Sequence, residues 1–289
     1  MTSELRRRID EAAAFVRQRA KTVPALRRGE GAPLADIGII LGTGLGDFAN
    51  AIEAATVVPY ADIPHFPRST VESHAGELHL GRLAGRPVAL MKGRVHYYEG
   101  YTMQQVAFPV RVLKALGCTT VVITNACGGM NPAMPAGTIV VTTDHINLMG
   151  DNPLIGPNDD TLGPRFPDMS EPYSRRLIAL AETVAREQGL ALQRGVFVAV
   201  PGPNLETAAE YRFLRGIGAD VVGMSLVPEN IVAVHGGMHV LAFNVVTDAC
   251  LPDALRPVDL AAVLAVAGRT APALTRLVTE VVRRLEEAN

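Results

Sequence analysis

The run Lys92-Gly93-Arg94-Val95-His96-Tyr97-Tyr98-Glu99-Gly100 sets an arginine, a histidine and a phenol at every second position, with a carboxylate beside them. In an extended segment Arg94, His96 and Tyr98 share one face, because strand side chains alternate with period two. A fixed cation, a titratable imidazole and a phenol on one surface suit an anionic oxyacid such as phosphate, which a guanidinium grips through two parallel hydrogen bonds. Taken alone, the run reads equally well as a polar strand end. Two glycine-rich loops favour the anion. Leu41-Gly42-Thr43-Gly44-Leu45-Gly46-Asp47 offers backbone N–H groups and the Thr43 hydroxyl. A dinucleotide fingerprint would need glycine where Asp47 stands, and a Walker loop would need a Gly-Lys pair that is missing; a plain tight turn stays open. Asn125-Ala126-Cys127-Gly128-Gly129-Met130-Asn131-Pro132 again combines small residues with backbone donors.

Three further segments end apolar runs with polar groups. Pro201-Gly202-Pro203-Asn204-Leu205-Glu206-Thr207 puts a carboxylate at the expected start of a helix, where the dipole would also stabilise it as a simple cap. Val222-Gly223-Met224-Ser225 and Val245-Val246-Thr247-Asp248 are the others. Capping accounts for each separately and less well for the set.

These residues need elements to hold them. At 289 residues, 48% hydrophobic and 19% charged, the chain can bury a sizeable core in one α/β domain. Short Val- and Ile-rich runs at 37–41, 88–91, 121–124, 138–141, 196–200, 221–224 and 240–246 predict buried strands. Helical spacing at 103–116, 173–188, 207–217 and 259–287 predicts the flanking helices, with a further N-terminal helix joined to the core by a Gly/Pro linker at 27–35. In such sheets ligands gather at the carboxyl ends of strands, where the segments above lie.

A net charge of −2 offers no broad basic field, so nucleic acid is not an expected partner and an anion must be met locally, which implies a small ligand. The three cysteines form no CxxC pair, which fits a reducing cytoplasm and argues against zinc. The charged N-terminus and the lack of a run of roughly 18 apolar residues predict a soluble, cytoplasmic protein without a membrane partner.

Taken together, these segments resemble the trimeric purine nucleoside phosphorylases. The likeness runs from about Ile39 to Asp248 and rests on the motifs above together with Phe66-Pro67-Arg68-Ser69-Thr70, Ser73-His74-Ala75-Gly76, Thr124-Asn125-Ala126 and Asp144-His145-Ile146-Asn147. It implies a single domain with a central mixed, partly barrel-like sheet flanked by helices, residues 1–35 being its N-terminal helix and linker and 36–289 its phosphorylase part. The implied assembly is a homotrimer with sites near subunit boundaries. The implied activity is that of a pentosyl transferase in purine salvage, reversibly cleaving purine ribonucleosides or deoxyribonucleosides with phosphate as co-substrate and neither cofactor nor metal. By the resemblance Thr43, His74, Arg94, His96, Ala126 and Ser225 would hold phosphate, Tyr98 and Met224 the ribose. Ala126, Leu205, Glu206, Val222, Thr247 and Asp248 would surround the base, and Glu99 would orient His96.

The chain departs from the family pattern in places. Asp248 stands where the 6-oxopurine enzymes have asparagine. An ionised aspartate only accepts hydrogen bonds, which suits a 6-aminopurine, whereas a protonated one could also serve a 6-oxopurine; adenosine is therefore an expected substrate beside inosine and guanosine. Leu260 replaces a histidine that meets the 5′-hydroxyl, which keeps a methylthioadenosine phosphorylase as the second reading. Leu205 replaces a phenylalanine, and Leu148-Met149-Gly150-Asp151-Asn152 lacks the aromatic that a neighbouring subunit often lays over the ribose. His235 and His239 read as a strand-entry pair, Phe197 as core, and His65, His79, His145 and Cys127 as structural. From other classes, a non-catalytic nucleoside binder would not need Arg94, His96 and Thr43 around an anion, and a hydrolase would have only Asp159-Asp160 as a metal signal.

Overall fold

Apolar runs without a polar face must be covered on both sides, and the first of them, Ile37–Ile40 (β1), is buried at every position. The computed structural model describes residues 3–21, 33–70 and 75–285. Strand β1 lies parallel to Arg86–Lys92 (β4) and Thr120–Gly129 (β5), with Ile37 opposite Val88 on one side and Thr120 on the other. In turn β5 runs parallel to His239–Ala249 (β9), Ala126 facing Val245. Ile139–Asn147 (β6), Leu192–Ala199 (β7) and Val221–Gly223 (β8) complete a circuit in which β5, β8, β7, β6 and β9 pair successively and β9 returns to β5. This closed part is the barrel; Glu53–Pro59 (β2) and Glu77–Leu83 (β3) extend the sheet antiparallel beyond β4. The whole is one mixed sheet of nine strands among the described residues.

Close approach decides two glycines. A Cβ on Gly42, just past β1, would stand 2.7 Å from the Thr124 carbonyl oxygen, and one on Gly128 would stand 2.5 Å from Cys250 Sγ. The backbone there is pressed against its neighbours, which brings strand ends together.

Helices cover the sheet. Glu4–Ala20 (α1), capped by the Ser3 side chain, packs on Met103–Leu116 (α2), and Arg17 Nη2 donates to the Ala115 carbonyl at 2.7 Å. A Thr102–Gln105 capping box starts α2, and Gly117 at φ 112° ends it. Arg175–Glu187 (α3), Ala208–Gly216 (α4) and Val227–His235 (α5) follow. Leu260–Arg284 (α6) is long and apolar enough to cross a membrane by length and composition, but its stripe of Leu274, Leu277, Val278 and Val281 is buried, and the helix packs against β9 and α3.

Three elements exceed what periodicity predicts. Strand β2 is a largely exposed edge ending in proline, β3 carries Gly81 mid-run, and α5 has only nine residues with Pro228 in its first turn, so each gives a weak signal. The extended course that would set Arg94, His96 and Tyr98 on one face is not taken: β4 stops at Lys92, Gly93 turns at φ 99°, and Tyr97–Glu99 forms a single 3₁₀ turn. Glu99 causes that turn, its carboxylate accepting from the His96 backbone N–H.

Candidate active site

A cavity of about 410 Å³ opens where β1, β5, β8 and β9 end. Thr43, Arg94, His96, Tyr98, Ala126, Leu205, Glu206, Val222, Met224, Ser225, Thr247 and Asp248 all line it. Tyr98 therefore shares a surface with Arg94 and His96 through the 3₁₀ turn and not through strand alternation. Glu99 stands behind His96, and His74 and Ser73 lie outside the described residues.

One polar group centres on Arg94, which is 2% exposed. Its Nη1 donates to Asn125 Oδ1 at 2.7 Å and to Glu229 Oε2 at 2.9 Å, and its Nη2 donates to the Thr124 carbonyl. Both terminal nitrogens thus already meet protein acceptors, where the sequence suggests a two-pronged grip on an anion. Ser225 Oγ donates to the same Asn125 oxygen at 3.0 Å, while Asn125 Nδ2 donates to Asn244. Glu229, buried in the first turn of α5, also accepts from the Leu226 N–H at 3.0 Å and so holds the Ser225–Leu226 turn, where Leu226 takes φ 70°.

His96 belongs to the same end. Its Nδ1 lies 3.1 Å from Glu99 Oε1, which fixes the orientation of the ring, and the ring stacks on Tyr98 with centroids 4.8 Å apart. Glu99 Oε2 accepts from both the backbone N–H and the hydroxyl of Thr70, at 2.8 and 2.6 Å. Burial alone would raise its pKa, but hydrogen bonds from His96 and Thr70 outweigh it and hold the carboxyl at about 2. Burial pushes the Tyr98 phenol up to about 12, with Glu99 adding to the effect, so the hydroxyl keeps its proton. Glu99→Gln is expected to lower kcat/KM for phosphate roughly 10-fold, since the amide cannot accept from all these donors. A depressed carboxyl contributes stability above its ordinary value of 4.5 that disappears as pH falls towards 2. Melting curves across that window should fall for the wild type and stay flatter for Glu99→Gln.

A second polar group gathers the carboxyls. Glu206 is half-buried; burial raises its pKa, and the neighbouring charges of Glu210 and Asp248 add to the rise against the opposing influence of Tyr211. Asp248 Oδ2 lies 3.1 Å from Cys250 Sγ, and Oδ1 lies 2.9 Å from Thr247 Oγ1. Thr247 has one hydroxyl hydrogen, yet its oxygen also stands 3.1 Å from the Cys127 carbonyl. The arrangement therefore suits Asp248 as an ionised acceptor of that hydrogen, or as an acid donating to a hydroxyl whose hydrogen goes to the carbonyl.

Residues that sequence reasoning missed are Asn125 as a side chain, Glu229, Tyr211 and Cys250. Cys250 follows Asp248 at period two and Tyr211 sits one turn past Thr207, signals that could have pointed to both. Glu229 is joined to Arg94 across 135 positions, and only its Leu226 capping spacing is local. Elsewhere, His235 ends α5 and His239 begins β9, and among the described residues no group of three His, Cys, Asp or Glu could hold a metal ion. Phe197 is fully buried beneath Gly223, and His145 meets the Tyr173 hydroxyl at 3.0 Å.

A closed α/β sheet carrying an oxyanion-compatible end and a two-carboxyl end in one cavity is the architecture of a nucleoside-processing phosphorylase fold, and residues 36–283 match the phosphorylase superfamily. Purine nucleoside phosphorylase 1 of Bacillus subtilis is 47% identical over 279 residues, 96% of this chain and 99% of that protein. Isoform 2 of purine nucleoside phosphorylase from Schistosoma mansoni, solved with cytosine and ribose-1-phosphate, superposes with a TM-score of 0.89 at 39% identity, covering 97% of each chain. A Schistosoma mansoni purine nucleoside phosphorylase solved with adenosine superposes with a TM-score of 0.88 at 37% identity, covering 97% of this chain and 98% of that one. The chain belongs to the purine nucleoside phosphorylase family.

Proposed function

We propose that this protein catalyses the reversible phosphorolysis of purine nucleosides to free base and ribose 1-phosphate. The observation that carries the reading is the cavity with two unlike ends: Arg94, His96, Thr43 and Ser225 at one, Glu206 and Asp248 at the other. Breaking the glycosidic bond ahead of full attack leaves a ribosyl cation, so phosphate held beneath the sugar stabilises charge as it develops. Thr43, Ser225 and the Ala126 N–H would bind that phosphate, with His74 as a further contact. Arg94 contributes buried positive charge and holds Asn125 and Glu229 in place around it. His96, oriented by Glu99, supplies the remaining contact. Tyr98 and Met224 would flank the ribose. The departing purine needs a hydrogen bond or proton at N7, which falls to Asp248, while Glu206 meets the opposite base edge beside Leu205, Val222 and Thr247.

An ionised Asp248 offers a 6-aminopurine the acceptor it needs and a carboxyl with its proton turned to the base offers a 6-oxopurine a donor, so adenosine is accepted alongside inosine and guanosine. A second reading, methylthioadenosine as substrate, is favoured by Val258, Leu260 and Val263, which present an apolar wall to the cavity. The hydrolase alternative finds no support at Asp159, whose carboxylate accepts from the Thr161 N–H and hydroxyl within its own turn. We further propose that residues 1–35 form part of the same domain and that the protein works in the cytoplasm as a homotrimer. Ile155 and Phe166, 64% and 85% exposed between β6 and α3, are apolar groups that a second copy would cover.

The test is base release from inosine, adenosine and methylthioadenosine, each with and without phosphate. Release that requires phosphate is expected for inosine and adenosine. Release without phosphate, or none with it, overturns the proposal.

A further inference from the structure

We infer that Cys250 is a positioning residue for base selection, clamping the Asp248 carboxyl. This rests on reading the cavity as the purine site. Both Cys250 and Tyr211 line that cavity and are 2% exposed. The Cys250 thiol stands 3.1 Å from Asp248 Oδ2, placed to donate to it. Tyr211 packs in the same buried cluster as Cys250, and Glu206, Tyr211, Cys250 and Asp248 line one wall at the base end. Burial, followed by the charge of Asp248, pushes the Cys250 pKa up, so the sulfur keeps the hydrogen that the donor role requires.

The backbone is shaped around this sulfur. A Cβ on Gly128 would stand 2.5 Å from Cys250 Sγ, so β5 yields the space that lets the thiol turn towards Asp248. The ladder between β5 and β9 slips by one residue at the same place, between Cys127 and Gly128, which brings Gly128 opposite Asp248. Without the thiol, Oδ2 loses its donor from the protein and the carboxyl is free to rotate away from the base. A 6-aminopurine, which needs a fixed acceptor, loses more than a 6-oxopurine.

The experiment compares Cys250→Ala with Cys250→Ser in the full-length protein. Both remove the bulk of sulfur; only serine restores a donor. The ratio of adenosine to inosine kcat/KM is expected to fall about 10-fold in Cys250→Ala and to recover most of that in Cys250→Ser. In an Asp248→Asn background the same pair of substitutions should differ by less than about 2-fold, because the clamped group has gone. Equal ratios in Cys250→Ala, Cys250→Ser and wild type overturn the inference, as does an alanine effect that persists undiminished in Asp248→Asn. Phosphate-dependent release from inosine by the wild type, measured alongside, separates failure of the clamp from failure of the phosphorylase reading.

Discussion

Glu229→Gln is expected to destabilise the protein by about 3–5 kcal/mol, the usual consequence of leaving a buried charge without its counter-ion. Arg94 and Glu229 are 2% and 3% exposed and meet at 2.9 Å. Burial lowers the Arg94 pKa, with Glu229 as the leading opposing influence; removing that carboxylate leaves desolvation largely uncompensated. The melting temperature should drop by roughly 10 °C. Activity should fall as well, because Glu229 also accepts from the Leu226 N–H and thereby holds the turn that presents Ser225. A double variant, Arg94→Met with Glu229→Leu, should be more stable than either single change, since replacing a buried pair by apolar groups removes two desolvation costs together. Differential scanning calorimetry on Glu229→Gln, the two single changes and their double decides the matter. If Glu229→Gln melts within about 1 °C of wild type, the buried Arg94–Glu229 pair does not carry the stability assigned to it.

Asp248→Asn should shift substrate choice more than any other single change at the base end. Asparagine carries a permanent donor beside its acceptor, so it can serve O6 or N7 of a 6-oxopurine, but it removes the charge and one acceptor position that a 6-amino group finds on aspartate. The amide would also meet the Thr247 hydroxyl and the Cys250 thiol, both placed within 3.1 Å of the present carboxyl. Adenosine kcat/KM is expected to fall by about 10- to 100-fold, while inosine and guanosine hold or improve. Steady-state rates with the three nucleosides at saturating phosphate provide the comparison. Negligible adenosine turnover in both wild type and Asp248→Asn would sink the broad-base reading.

What could be read from the chain beforehand depended on how local the cause was. Helix α2 falls on 103–116 as expected because its boundaries are written nearby, in the Thr102–Gln105 box and in Gly117. The strands that are buried on both faces were legible as Val- and Ile-rich runs, though β5 and β9 continue several residues beyond them into the polar site segments. That Thr43, Ala126, Ser225 and Asp248 line one cavity was legible for the same reason: each follows a recognisable apolar run. The route by which His96 and Tyr98 reach one surface was not, since a 3₁₀ turn held by Glu99 and Thr70 replaces the strand that alternation suggests. The Arg94–Glu229 pair and the packing of Cys250 beside Tyr211 join distant parts of the chain, and nothing in local spacing specifies which partner each side chain finds.

The closed circuit of β5, β8, β7, β6 and β9 has a consequence for how this enzyme can diversify. A ring of paired strands has no terminal strand to fray, and Ala126, Asp248 and Ser225 lie on it or at its strand ends. Moving one of them means moving the others. Leu260 opens α6, and Val258 sits in the connection before it, 65% and 44% exposed, outside that ring. Residues there can be exchanged without reopening the ladder. On the proposed reading of the cavity, the base end is thus inherited as a block, whereas the group carried on the sugar's 5′ carbon is a trait that point mutations can retune within a lineage.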